Sequence, residues 1–298
     1  MKYTIKQFRK DFPDDSSCLQ YIFNNRFNGL KCPTCGKSEF YQVKGRKAFA
    51  CSCGYQINPT ANTIFHKSST SLTDWFFAIY LFSTSKNGVS AKEIQRHLGT
   101  TYKTAWRMAN KIRSLMKQGG DKLSGVIEAD ETYIGGKRRM SCKNENKTAV
   151  MGIVERGGEI RSKCIPNSQT HTLLKELKDN IEFGSRLITD DNVAYKPNKI
   201  MRCGMFHDTI NHSKKKYVRG DIHTNTIEGF WGQMKRSIHG TYHSVSSKHL
   251  QSYVDEFSYS YNQRLVETPV FQDLLYRLCE QHDLGGQEMF VFEGLPVS

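Results

Sequence analysis

The chain has 298 residues, 43 Lys+Arg against 29 Asp+Glu for a formal net charge of +14, and 38% hydrophobic residues, enough apolar material for two or more packed domains. No window approaches eighteen consecutive apolar residues, and the opening run MKYTIKQFRKDFPDD lacks an apolar segment followed by a cleavage site. Membrane spans and secretion are therefore not expected, and the reading is an intracellular, cytoplasmic protein.

Up to Gly29 the chain reads as one or two short helices, with Ser16 or Ser17 as N-cap and Leu19, Ile22, Phe23 and Phe27 as an apolar stripe. Residues 30–60 change character: CPTCG, the basic alternating run YQVKGRKAFAC and CSCGYQINPT suggest short strands around two knuckles. Of nine Cys, an odd number, four crowd between residues 32 and 53, while Cys18, Cys142, Cys164, Cys203 and Cys279 are scattered. That argues for a local metal site and against a disulfide framework. Cys32 and Cys35 form a C-x2-C pair, Cys51 and Cys53 a C-x-C pair, and four thiolates at this reach suit a tetrahedral Zn²⁺. Gly36 and Gly54, each following the second Cys of a pair, fit the tight turn that lets backbone N–H groups approach a ligand sulfur. Four protein ligands leave no open position, so this zinc is expected to be structural.

A helical region follows from about Leu72, where LTDWFFAIYLF is too apolar for a lone surface helix and reads as the hub of a small trihelical unit. SAKEIQRHLGTTYKTAWRMANKIRSLM then has a helix-turn-helix layout: Ile94 and Leu98 inward, Gly99 at the turn, Thr100 or Thr101 as cap, and a second helix with Ala105, Met108, Ile112 and Leu115 at helical spacing. Its other side carries Lys103, Thr104, Arg107, Asn110 and Lys111, which would face the major groove or its phosphates. Charge supports this, because residues 1–120 hold 19 Lys+Arg and 6 Asp+Glu whereas residues 121–298 hold 24 and 23. A field of that sign on one part of a protein attracts polyanions, nucleic acid first among them.

KQGGDKLSG marks a domain boundary at 117–125. Beyond it GVIEADETYIGG, TAVMGIVERGG and EIRSKCIPN read as a strand meander, TLLKELKDNIEF as a helix and RLITDD as a further strand, an α/β pattern with a mixed sheet. Two acids, Asp130 and Asp190, end apolar strand-like runs. A third, Glu228, lies on a helix whose apolar face is Ile227, Trp231, Met234 and Ile238, with Asn225, Glu228 and Lys235 on a neighbouring stripe. Such carboxylates can hold two Mg²⁺ that clamp the attacking and leaving oxygens of a phosphodiester. The adjacent acids Glu131 and Asp191 are expected to point elsewhere.

The runs CPTCG through CSCGYQ, TANTIFHKSSTSLTDWFFAIYLF, ADETYIGGK, LITDDNVAYK and HTNTIEGFWGQMKRSIHGTYHSVSSKHLQSYVDEFSYSYNQR resemble the bacterial insertion-sequence DDE transposases of the ISXO type, over about residues 15–265. The resemblance implies N-terminal helices over residues 1–29, a zinc ribbon over 30–62, a helical DNA-binding unit over 63–119, an RNase H-like DDE catalytic domain over 120–268 and a C-terminal tail or helix over 269–298. Matched motif by motif, the triad falls on Asp130, Asp190 and Glu228, holding Mg²⁺ or Mn²⁺, and Lys235 falls where such enzymes place a DNA-contacting lysine. TDDN stands where similar sequences have TDG, which leaves Asp191 as an alternative second ligand, and Asn225 stays open as a sharer of the third role. The implied function is binding of an element's terminal inverted repeats, with metal-dependent cleavage and strand transfer by a homo-oligomer on double-stranded DNA. Lys103, Arg107, Lys111, Lys235 and the basic run Lys214, Lys215, Lys216 and Arg219 are the expected DNA contacts, with Cys32, Cys35, Cys51 and Cys53 on zinc. The alternatives are a zinc-ribbon DNA-binding regulator with a vestigial nuclease domain, and a nuclease without strand transfer.

Overall fold

Capping residues decide where the first two helices begin. Thr4 forms a reciprocal capping box with Gln7 at the start of α1 (Ile5–Asp11), and Asp14 forms another with Ser17 at the start of α2 (Asp15–Arg26). The cap of α2 is thus Asp14, not Ser16 or Ser17. Its carboxylate accepts the Ser17 N–H at 2.8 Å, and an ionised oxygen there also meets the positive end of the helix dipole. α2 buries Cys18, Leu19 and Ile22, and Phe23 stacks on Phe49 with ring centroids 4.0 Å apart. Phe49 lies on β2 (Phe49–Ala50), the middle strand of an antiparallel sheet with β1 (Tyr41–Gln42) and β3 (Gln56–Ile57). α3 (Leu72–Thr84) buries Leu72, Trp75, Phe76, Ala78 and Ile79, apolar nearly all round as its sequence requires. This computed structural model describes residues 3–135, 147–210 and 222–280, and the described chain divides into two compact units, Thr4–Phe76 with Leu275–Glu280, and Tyr3 with Phe77–Leu274. Among the described residues no helix is long and apolar enough to cross a membrane.

In the second unit Ser90 caps α4 (Ala91–Leu98) and Thr101 caps α5 (Tyr102–Ser114), with Gly99 between them at φ 62°, a left-handed turn that a side chain would strain. α5 turns Ala105, Met108, Ala109 and Ile112 inward, and with them Arg113. That buried guanidinium donates from Nε to Glu256 at 2.7 Å and from Nη2 to the Val89 carbonyl at 3.1 Å, and it lies 4.0 Å from the Tyr253 ring centroid. The Tyr242 hydroxyl also donates to Glu256, at 2.8 Å. A charge taken out of water in this way needs every one of those partners, so the two helices belong to one body with α9 (Leu250–Asn262), which carries Glu256.

The sheet of that unit uses β4 (Val126–Gly135), β5 (Lys147–Glu155), β6 (Ile160–Ile165), β7 (Arg186–Asp190) and β8 (Phe206–Ile210) in the order β6-β5-β4-β7-β8. β4, β5 and β6 form an antiparallel meander, while β7 and β8 run parallel to β4, reached through α6 (Thr170–Asn180) and α7 (Pro197–Arg202). This is the RNase H-like arrangement, a mixed sheet with β4 at its centre. Alternation along the strands sends Ile127, Ala129, Met151 and Leu187 to one face, packed with Leu173, Leu177 and Ile200 of α6 and α7. It sends Val150, Val154 and Ile134 to the other, under Ile227, Phe230, Trp231 and Met234 of α8 (Asn225–Ser237) and Val254 and Phe257 of α9. Asn262, at the end of α9, ties off the edge strand: its amide accepts from the Ile160 N–H at 2.8 Å and donates to the Ile160 carbonyl at 3.0 Å. α10 (Val270–Glu280) follows.

Candidate functional site

Strand register brings two acids level. β4 and β7 pair in parallel with Val126 opposite Arg186, Ile127 opposite Leu187 and Glu128 opposite Ile188. Continuing that register sets Asp130 beside Asp190 on neighbouring strands, pointing to the same face. The third acid comes from above, because burying Ile227, Phe230, Trp231 and Met234 leaves Asn225, Glu228 and Lys235 exposed on α8. Trp231 reaches down to the sheet and its indole N–H donates to Asp130 Oδ2 at 3.1 Å. The slot for that ring is Gly152, which pairs with Asp130 across β4 and β5: a Cβ there would stand 2.6 Å from Trp231 Cζ2 and 2.7 Å from Ile227 Cδ1. Any side chain at position 152 would displace the helix that carries Glu228.

Both other acids act on Asp130. Desolvation pushes the Asp130 carboxyl up, the charge of Asp190 adds to this and that of Glu228 adds less, while the Glu131 backbone and Trp231 oppose, so that it titrates at about 6. Asp191 is the exposed residue just beyond the end of β7. Carboxylates are hard oxygen donors of the kind that divalent cations take, although these three are not drawn into the tight set that the cysteines form. Two acids that sequence reading gave no role join the network. Glu128, fully buried two residues before Asp130 on the same face, bonds the start of α8, and Glu131, on the opposite face, bonds the turn after Asp190. The signal for Glu128 was a glutamate inside the apolar run VIEA at the strand's period of two from Asp130.

The zinc expectation meets a geometry made for it. The sulfurs of Cys32, Cys35, Cys51 and Cys53 all lie within 4.8 Å of one another, Cys32 and Cys53 at 3.5 Å and Cys35 and Cys51 at 3.4 Å. A tetrahedron of Zn–S bonds of about 2.3 Å has edges of about 3.8 Å, so the set fits the ion. The knuckles behave as their glycines imply: Gly36 at φ 72° and Gly54 at φ 92° turn the chain so that the N–H groups of Thr34 and Cys35 meet the Cys32 sulfur, that of Lys37 meets Cys35 and that of Cys53 meets Cys51. The C-x-C spacing of the second pair does not disturb the set.

On α5, Lys103 and Arg107 are exposed and Lys111 half-buried, one stripe at a spacing of four residues opposite the buried face. Lys235 is exposed on α8. Lys214, Lys215, Lys216 and Arg219 lie outside the described residues, as does Cys142.

Residues 122–262 match the family described as the ISXO2-like transposase domain, and residues 13–56 match the transposase zinc-ribbon domain. A protein in the transposable element ISH50 of Halobacterium salinarum is 25% identical over 256 residues, covering 77% of this chain and 84% of that protein. Among solved structures, the chain is similar to a simian T-cell lymphotropic virus intasome in complex with PP2A regulatory subunit B56 gamma (TM-score 0.32, 11% identity, 59% of this chain and 66% of that one). It is also similar to the catalytic core domain of BIV integrase (TM-score 0.26, 16% identity, 55% and 88%). The two matches stand in tandem, so the chain carries a transposase zinc-ribbon domain followed by an ISXO2-like transposase domain.

Proposed function

We propose that this transposase binds the terminal inverted repeats of its own insertion sequence, cleaves at the ends with water and joins the freed 3′ hydroxyl to target DNA, acting as a homo-oligomer on DNA. The observation that carries the reading is the placement of Asp130 on β4, beside β7 that ends at Asp190 and under α8 that carries Glu228 and bonds Asp130 through Trp231. Asp130 and Asp190 bind divalent cations and Glu228 completes the second site, with Asp190 rather than Asp191 in register. Mg²⁺ or Mn²⁺ bound there supplies Lewis-acid stabilisation of the attacking and leaving oxygens of the phosphodiester. Trp231 holds one oxygen of Asp130 and so orients the other. Lys235 stands seven residues beyond Glu228 on α8, about 10 Å along the axis, a distance that suits a phosphate of the bound strand. Lys103, Arg107 and Lys111 meet the element's ends, with Lys214 and Lys215 adding phosphate contacts. The ribbon of residues 30–62 is held by structural zinc, and residues 63–119 bind DNA ahead of the catalytic residues 120–268.

Losing one cation ligand should remove catalysis and spare DNA affinity, because affinity rests mainly on basic residues elsewhere. Asp130→Ala, Asp190→Ala and Glu228→Ala should each lower Mg²⁺-dependent end cleavage by about a thousandfold or more, with end binding within a few-fold. Wild-type cleavage in all three would refute the mechanism. A dead Asp191→Ala beside an active Asp190→Ala would shift the second ligand by one residue, and a dead Asn225→Ala beside an active Glu228→Ala would move the third. A wild-type chain that binds the ends and never cleaves them would favour a DNA-binding regulator.

A further inference from the structure

We infer that β4 carries two positioning carboxylates flanking Asp130, Glu128 and Glu131, which fix the other two acids against it: Glu128 by capping α8, and Glu131 by tying down the turn that leaves β7. The inference rests on the proposed active site and deepens it.

Glu128 does for α8 what a cap side chain ordinarily does. The N-cap Thr224 makes no side-chain bond to the helix's N–H groups, and its hydroxyl instead donates to Glu228 Oε1 at 2.7 Å. The first-turn donors go to the strand: Glu128 Oε2 accepts from the Thr226 N–H at 2.9 Å and the Ile227 N–H at 3.1 Å, while Oε1 accepts from the Thr226 hydroxyl at 2.9 Å. Four unsatisfied N–H groups and a positive dipole end make a helix start a fitting seat for a carboxylate, here supplied from another element. Its charge is balanced by Arg156, whose Nε donates to Oε1 at 2.7 Å and whose Nη2 donates to the His223 carbonyl at 2.7 Å, just before the helix. Apart from Arg156, which itself bonds the residue leading into the helix, these partners of the buried carboxylate lie at the start of α8. Glu228 sits in that same first turn. Its distance from Asp130 is set by a residue two positions from Asp130 on the same strand face.

Glu131 works on the other face. Its Oε1 accepts from Asn192 Nδ2 at 2.6 Å and its Oε2 accepts from the buried Tyr195 hydroxyl. Asn192 then links to the site, because its own N–H donates to Asp190 Oδ1 at 3.1 Å, while its side-chain oxygen accepts from the Ala194 N–H at 3.0 Å and closes the turn. The orientation of the Asp190 carboxylate is thus set by a turn whose two anchors are both on Glu131. Strand alternation does point Glu131 away from Asp130, yet it is no neutral neighbour of the site.

The test is Mn²⁺ affinity of the full-length protein, measured by the paramagnetic resonance of free Mn²⁺, with zinc content and unfolding temperature measured on the same samples. Glu128→Gln, Glu131→Ala and Tyr195→Phe should each weaken Mn²⁺ binding by about five- to twentyfold and raise the Mg²⁺ needed for half-maximal cleavage to match, with end binding within twofold. Glu131→Gln, which keeps an acceptor for Asn192, should recover most of the loss. Glu128→Ala leaves Arg156 and two N–H groups stranded and can fail to fold, so Thr226→Val is the milder probe of the same contact. Folded variants of both acids that bind Mn²⁺ as tightly as wild type, with only a lower unfolding temperature, would assign these residues to the fold alone and overturn the inference. In that outcome Asp130→Ala still loses Mn²⁺ binding; if Asp130→Ala binds normally too, the active-site reading itself has failed.

Discussion

The zinc ribbon and the sheet unit each gather a cluster of metal-type ligands, and the two clusters stand in opposite relation to the folds that hold them. In the ribbon the four ligands fall within residues 32–53, the strands are two residues long, and the buried apolar side chains around them are few, Phe49, Ile57 and Ala48. So little core cannot fold a segment of this size, and the metal supplies what apolar burial does not. In the sheet unit the two apolar layers are complete without any ion, and the acids add only desolvation and mutual repulsion to them. There the fold makes the site, at some cost to its own stability. The ribbon's ligands should therefore be indispensable to structure, and the acids dispensable to structure but not to chemistry.

The largest effect tests the first half of that contrast. Cys32→Ser or Cys51→Ser should lose about one equivalent of zinc and unfold the ribbon, since apparent zinc binding at structural sites is worth about 10–16 kcal/mol and is folding free energy. Metal analysis and limited proteolysis would show it. A variant that keeps stoichiometric zinc, or a ribbon still protease-resistant after chelation, would break the comparison.

Next comes what does hold the sheet unit. Glu256→Ala strands the buried Arg113 guanidinium and should cost about 3–5 kcal/mol, read as a lower urea midpoint for this unit with zinc content unchanged. A loss under about 1 kcal/mol would mean that water reaches Arg113 once Glu256 is gone.

The sign reverses at the site. The Asp130 carboxyl titrates at about 6 in the folded chain against 3.8 as a free group, so the folded state holds its proton more tightly. The stabilisation that this linkage contributes is complete below pH of about 4 and is lost as pH rises through about 6. Asp130→Asn escapes that loss, and Trp231 keeps an oxygen acceptor. The variant should thus be about 2–3 kcal/mol more stable than wild type at pH 8, the gap closing toward pH 4, while it cannot cleave DNA. Equal unfolding temperatures across that range would show that repulsion at the acids is already relieved. The smallest effect is on DNA: binding to the ends should show a salt slope of about −5 to −7, and Lys103→Ala should reduce its magnitude by about one. No change in slope would remove Lys103 from the interface.

What could be read from the chain alone follows the range of the interactions. The ribbon was legible because its ligands, knuckles and glycines are local, so spacing alone conveys the geometry. The turn between α4 and α5 was legible through Gly99 and Thr101, and the buried stripe of α8 through Ile227, Trp231, Met234 and Ile238, since caps and helical periodicity are written in neighbouring residues. The cap of α2 was misread by a few residues because Asp14 and Ser17 share one box and either type can lead it. α7 and β8 went unread: six and five residues long, the latter at a sheet edge with Phe206 exposed, they carry too little periodicity to stand out. The three acids could be singled out by residue type and motif, but not their mutual placement. Which acid comes level with Asp130 is a matter of hydrogen-bond register between β4 and β7, that position 152 must be glycine is a matter of where the Trp231 ring lands, and that Glu128 bonds a helix 98 residues away is a matter of which faces meet. Register, close approach and desolvation exist only between segments, so they arise when the layers pack and have no counterpart in any local run of residues.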